Sequence, residues 1–114
     1  MLIYKIFRAD EWAMFRKTGK TLGAPVDLQD GFIHFSTATQ VAETAAKHFA
    51  CADGLMLIAC DADQFGNDLK WEVSRGSDLF PHLFGSLKMT DVIWAKPLPY
   101  VGDQHQFPKD MSCA

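Results

Sequence analysis

The stretch that decides the fold is Gly31-Phe32-Ile33-His34-Phe35-Ser36-Thr37-Ala38-Thr39-Gln40. It reads as a short strand running directly into a helix. Side chains alternate along a strand, so Ile33 and Phe35 share one face while Phe32, His34 and Ser36 share the other. Thr37 is placed to cap the helix, and Gln40 to complete a capping box with it. An imidazole and a hydroxyl then point the same way beside backbone N–H groups at a helix start, and such groups suit an anion such as phosphate. Two readings of the pair stand. His34 is a buried histidine bonded to a neighbour while Ser36 helps the cap, or both open on a cleft.

Working outward toward the N-terminus, residues 21–31 carry Gly23, Pro25, Asp27, Asp30 and Gly31 and read as a loop, long enough in so small a protein to be a binding or lid element. Before it, the spacing predicts a strand over residues 2–7 and a short helix over 11–17, opened by Asp10 and closed by Gly19, with Trp12 and Phe15 on its inward face. Toward the C-terminus, a helix is expected over about residues 38–50, with Val41, Ala45 and Phe49 as its apolar stripe and Glu43 and Lys47 paired outside. The apolar run 55–60 reads as a buried central strand. Residues 69–75 form another strand, 76–85 an irregular segment, and 88–96 a last strand ended by Pro97 and Pro99. Residues 101–114 read as a polar C-terminal tail.

Strand, helix, strand, helix and then strands is not the alternation of a doubly wound sheet. The expectation is a single α+β domain spanning residues 1–114, with a mixed or mainly antiparallel sheet and two principal helices. Apolar residues make up 48% of the chain and charged residues 22%, with nine Phe and three Trp, which is core enough without a staple. A net charge of −3 argues against a general nucleic-acid or anionic-membrane partner. The three cysteines form no C-x-x-C pair, and the start of the chain lacks a signal-peptide pattern, so a reduced, cytoplasmic setting is expected. No run is apolar enough to span a bilayer.

No P-loop, dinucleotide glycine fingerprint, H-E-x-x-H or G-x-S-x-G motif is present. What remains is a set of polar residues in aromatic surroundings: His34, Ser36, Trp71, Glu72, Arg75 and His82. A carboxylate on an inward strand face must be paired or held for chemistry, so Glu72 is either an ion-pair partner of Lys70 or Lys88 or a reactive group. Arg75 is a surface cation at a strand end or a clamp for phosphate. His82, flanked by Leu79-Phe80-Pro81 and Leu83-Phe84, is a polar plug or a member of the site. His34, His82 and Glu72 have the chemistry of a metal triad, but nothing in their spacing demands one, and no metal is expected.

Three blocks resemble a family of small bacterial proteins known as domain of unknown function 952. They are Asp30-Gly31-Phe32-Ile33-His34-Phe35-Ser36-Thr37-Ala38, Lys70-Trp71-Glu72-Val73-Ser74-Arg75-Gly76 and Leu79-Phe80-Pro81-His82-Leu83-Phe84-Gly85. More distantly the chain resembles the ADP-ribosyltransferase fold. That resemblance implies an NAD-dependent ADP-ribosyltransferase-like enzyme, or one acting on an RNA 2′-phosphate. His34 and Ser36 would hold NAD, and Glu72 would stabilise charge on the ribose, so that His34 and Glu72 are the catalytic residues. Ser36, Trp71, Arg75 and His82 would bind the substrate, a small phosphate-bearing molecule. The competing class is a non-catalytic domain that binds a small ligand or a protein in the same cleft.

Overall fold

The computed structural model describes residues 1–74, 76, 78–109 and 111. Two antiparallel three-stranded sheets carry the fold. The first has strand β4 (Leu55–Asp61) in its middle, between β1 (Leu2–Phe7) and β8 (Val92–Leu98). The second is centred on β6 (Leu79–Leu83), between β3 (Ile33–His34) and β5 (Leu69–Val73). Short two-residue strands complete the set, β2 (Lys20–Thr21) with β7 (Leu87–Lys88) and β9 (Tyr100–Val101) with β10 (Gln104–His105). The α+β, antiparallel expectation holds.

The first sheet is buried on both faces, which is why β4 reads as a continuous apolar run. Ile3, Phe7 and Ile58 pack with Phe15, Ile33, Phe35 and Leu83 on one face. Tyr4, Ile6, Leu57 and Ala59 pack with Val41 and Ala45 on the other. Phe15 comes from helix α1 (Ala9–Thr18), whose first turn is closed by Glu11 accepting the Arg8 N–H at 2.9 Å. Val41 and Ala45 come from helix α3 (Val41–His48), where Glu43 and Lys47 pair at 3.4 Å as expected. This helix starts later than the sequence suggests. Thr37 begins a turn instead, in which the Gln40 side chain accepts the Thr37 N–H at 3.0 Å.

Further expectations are corrected. Residues 21–31 are not all loop, because helix α2 (Pro25–Asp30) lies within them, a third helix beside the two foreseen. Proline fits its first turn, where no N–H is needed, and Gly31 ends it at φ 84°. Residues 79–83 are the middle strand of the second sheet, and Pro81 is tolerated there because it gives only its carbonyl, which accepts the Phe35 N–H at 3.0 Å. Strand β8 runs through Pro97 rather than stopping before it, an edge strand where a missing donor leaves no hole in the sheet. Among the described residues beyond the β9–β10 hairpin, Phe107 and Met111 pack onto the Tyr4 core and the Tyr4 hydroxyl donates to the Met111 carbonyl.

One contact fixes the position of the site. Tyr4 and Ser36 exchange both backbone hydrogen bonds, at 2.8 Å each, an isolated antiparallel bridge between β1 and the segment just after β3. It lays Lys5 of the first sheet against His34 of the second.

Candidate functional site

Strand parity works as the sequence says. Ile33 and Phe35 are fully buried in the core, while His34 is half-buried, its side chain 31% exposed. His34 and Ser36 line one cavity of about 760 Å³, together with His82, Lys5, Asp27 and Asp30. The cavity lies between α2, the middle of β1, the start of α1 and α3.

Asp27 organises this cavity from below, and reading residues 21–31 as a loop left it unmarked. It sits on α2 with its side chain fully buried. One oxygen, Oδ2, takes the Lys5 Nζ at 2.8 Å and the Ala24 N–H at 2.8 Å. The other, Oδ1, accepts the His34 N–H at 3.1 Å and lies 2.6 Å from His34 Nδ1. Burial pushes the Asp27 carboxyl up, but the His34 hydrogen bond, the Lys5 charge and hydrogen bond, and the Ala24 N–H together outweigh it and hold the pKa at about 2. A buried charge persists only when paired and bonded on all sides, and here every direction is filled. Gly23 is part of the same design: a β-carbon there would lie 2.2 Å from Asp27 Oδ2.

His34 therefore has a fixed ring. Its Nδ1 faces Asp27, and its Nε2 meets Asp30 Oδ2 at 3.0 Å, at the rim, where the Asp30 side chain is 41% exposed. A carboxylate behind an imidazole sets the tautomer and the ring orientation. Ser36 is buried and its hydroxyl is engaged with Thr44 Oγ1 at 3.0 Å, so it acts by shape and by its place in the cavity wall.

His82 stands directly across from His34 in the β3–β6 register. The two rings are 5.4 Å apart between centroids, and Phe32 stacks on His82 at 4.1 Å. His82 Nδ1 lies 2.9 Å from Glu72 Oε1. So three of the four titratable groups singled out in the sequence meet. Their arrangement differs from the simple expectation, because Glu72 supports His82 and is not itself among the residues lining the cavity. Its side chain is 43% exposed, on the same sheet face as Lys70, which sits across from His82 and rests its ammonium 5.1 Å from the Phe84 ring. Trp71 pairs with Pro81, hence on the opposite sheet face from His82 and away from the cavity. Arg75 lies outside the described residues. Among those described, no cluster of three or more His, Cys, Asp or Glu side chains forms a metal-ion cage.

Lys5 could have been noticed as the one charge on a strand otherwise apolar on both faces. Asp27 carried a signal too, a Pro two residues before an Asp and a Gly four residues after it, the punctuation of a short helix. Its partners are set by tertiary packing.

The class defined by this fold and cavity is an antiparallel α+β domain with a carboxylate-anchored histidine pair in a cleft. The chain belongs to the family described as protein of unknown function (DUF952), whose model matches residues 6–95. It is similar to protein CC0527 from Caulobacter crescentus. With the crystal structure of that protein it shares 44% identity and a TM-score of 0.90, over 93% of this chain and 94% of the other. With its solution NMR structure the identity is 44% and the TM-score 0.82, over 91% and 90%. No curated protein matches the chain. Among the described residues no helix is long and apolar enough to cross a membrane.

Proposed function

We propose that the cleft binds a small phosphate-bearing nucleotide, with NAD the first candidate, in the manner of an ADP-ribosyltransferase-like protein. The observation that carries this reading is the shared cavity. His34 and Ser36, the pair that the resemblance assigns to NAD, line it together, and its volume of about 760 Å³ is within the range of about 300–1,000 Å³ usual for ligand sites. Arg8 also lines it, and the guanidinium, 4.9 Å from the Phe49 ring centroid, has no carboxylate partner among the described residues, which leaves it available to a phosphate. The exposed Cys51 and buried Cys60 are free thiols, which suits work in the reducing cytoplasm.

The test is calorimetric titration with NAD of the wild-type chain and of His34→Ala. Binding by the first and not by the second is the expected result, and no heat with the wild type overturns the reading. A second reading, binding without transfer chemistry, is favoured by the position of Glu72: its carboxylate holds His82 and stands off the cavity. Release of free nicotinamide from bound NAD, followed by chromatography, decides between them. Nicotinamide appearing at a rate that Glu72→Gln abolishes means ADP-ribosyl chemistry, and intact NAD means a binding domain.

A further inference from the structure

We infer that His34 and His82 form an acid–base pair able to cleave a phosphodiester next to a ribose 2′-hydroxyl. The inference stands on the geometry of the pair and does not depend on NAD being a ligand. Each imidazole is held at Nδ1 by a carboxylate, His34 by Asp27 at 2.6 Å and His82 by Glu72 at 2.9 Å. Nε2 is thereby the working nitrogen of each, that of His34 meeting the rim carboxylate Asp30 at 3.0 Å. The two rings stand 5.4 Å apart and line the same cavity. Stability alone needs one buried histidine with a partner. It does not need two, on directly paired strand positions, each with its own carboxylate and both facing the same cavity.

The surroundings of the two rings differ, and the difference assigns the roles. His34 faces carboxylates at both nitrogens, Asp27 and the rim residue Asp30, and both of these contacts are N–H donations only in the imidazolium form. His82 has one carboxylate, stacks on Phe32 and is almost fully buried, so its Nδ1–H is satisfied and Nε2 is left to accept. His34 is the acid and His82 the base. Lys5, bound to Asp27, lines the same cavity with the further charged or titratable side chains Arg8, Asp10, Glu11 and His48, and Lys70 stands across from His82 outside it.

The substrate class follows from what the cavity lacks and what it supplies. Among the described residues the polar contacts of the two rings are to carboxylates and none is to a hydroxyl or thiol, and the Ser36 hydroxyl is bonded to Thr44. The nucleophile therefore belongs to the substrate. An acid is useful only where the leaving group departs as an alkoxide that needs a proton. A ribonucleoside phosphodiester meets both conditions, and Arg8 on the cavity wall faces its non-bridging oxygens. In the step, His82 Nε2 takes the 2′-hydroxyl proton as that oxygen forms its bond to phosphorus. The bond from phosphorus to the 5′-oxygen breaks, and that oxygen takes the proton from His34 Nε2. The products are a 2′,3′-cyclic phosphate and a free 5′-hydroxyl, and no oxidant or further reactant is consumed. Asp30 leaves Nε2 for solvent as the phosphodiester arrives.

The experiment incubates the full chain with uridylyl-(3′,5′)-adenosine and follows adenosine and uridine 2′,3′-cyclic phosphate by chromatography across pH. The wild type is expected to give a bell-shaped kcat/KM profile. His82→Gln and His34→Gln should each lose at least about 100-fold, since general acid–base groups contribute about 10²–10⁴-fold. Glu72→Gln alters a half-exposed side chain that is absent from both core clusters, and is expected to lose about tenfold while its thermal unfolding stays near wild type. Glu72→Gln therefore keeps the test decisive if a histidine variant fails to fold. Absence of cleavage by the wild type, a flat pH profile, or Glu72→Gln at full rate overturns the proposal. NAD titration of the same samples gives an independent answer, so failure here and failure of the nucleotide-binding reading are told apart.

Discussion

At the scale of single residues, Asp27 is the pivot of the site. Its pKa of about 2, against 3.8 for an ordinary Asp, favours the folded state by roughly 2 kcal/mol. Because the folded value is the lower one, that stability is complete above about pH 4 and is lost as pH falls from there toward about 2. Acid titration of thermal stability should therefore show a loss in this window that Asp27→Asn removes, the variant being less stable at neutral pH. A variant with the same acid slope as wild type would contradict the assignment. Glycines nearby make a sharper comparison. Gly31 at φ 84° has nothing within 4 Å of where a β-carbon would be, so Gly31→Ala meets only backbone strain, about 1–2 kcal/mol. Gly23 at φ 103° would put the same carbon 2.2 Å from a carboxylate oxygen that cannot move without breaking its bond to Lys5. Gly23→Ala should cost clearly more than Gly31→Ala in denaturant unfolding, and it alone should shift the NMR signals of the His34 ring. Equal costs would mean that Asp27 relaxes freely.

At the scale of elements, α3 shows why a stripe is more legible than a boundary. Val41 and Ala45 are buried as their spacing requires, yet the helix begins at Val41 because Gln40 bonds back to the Thr37 N–H in a turn of its own. Ala45 is 1% exposed in the core against the first sheet, so Ala45→Leu should destabilise by about 1–3 kcal/mol through overpacking. Equilibrium unfolding measures this, and a neutral result would show a looser helix–sheet contact. Helix α2 went unread because a six-residue helix has too few turns for periodicity to speak, and only its punctuation by Pro25 and Gly31 marks it. Strand β6 was hidden by Pro81, a residue that argues against a central strand unless its neighbour asks only for its carbonyl.

At the scale of the whole molecule, the two cores on either face of the first sheet tie distant segments together. Phe107 and Met111 close the core that holds Tyr4, Val41 and Leu98, and His105 Nε2 reaches the Ala52 carbonyl at 3.0 Å. A chain ending after Pro99 should melt well below the full-length protein, and one that keeps the wild-type Tm would show the last segment to be ornamental. The thiols report on the same packing. Burial, with the charge of Asp91, raises the Cys60 pKa to about 12, while Cys51 is exposed. Alkylation mapped by mass spectrometry should label Cys51 in the folded protein and Cys60 only on unfolding.

The sequence by itself determined the α+β class, the apolar middle strand, the stripe of α3 and the parity that turns His34 toward the cavity and Ile33 toward the core. These follow from local periodicity, in which a residue's face depends only on its near neighbours along the chain. The partners were decided by tertiary structure alone. Lys5 meets Asp27 because the Tyr4–Ser36 bridge joins two sheets, and His82 meets His34 because β6 pairs with β3. Glu72 became the support of His82 because strand register, which no local spacing states, chose who stands opposite whom, whereas the face of Trp71, opposite that of Glu72, follows from the alternation of the strand itself.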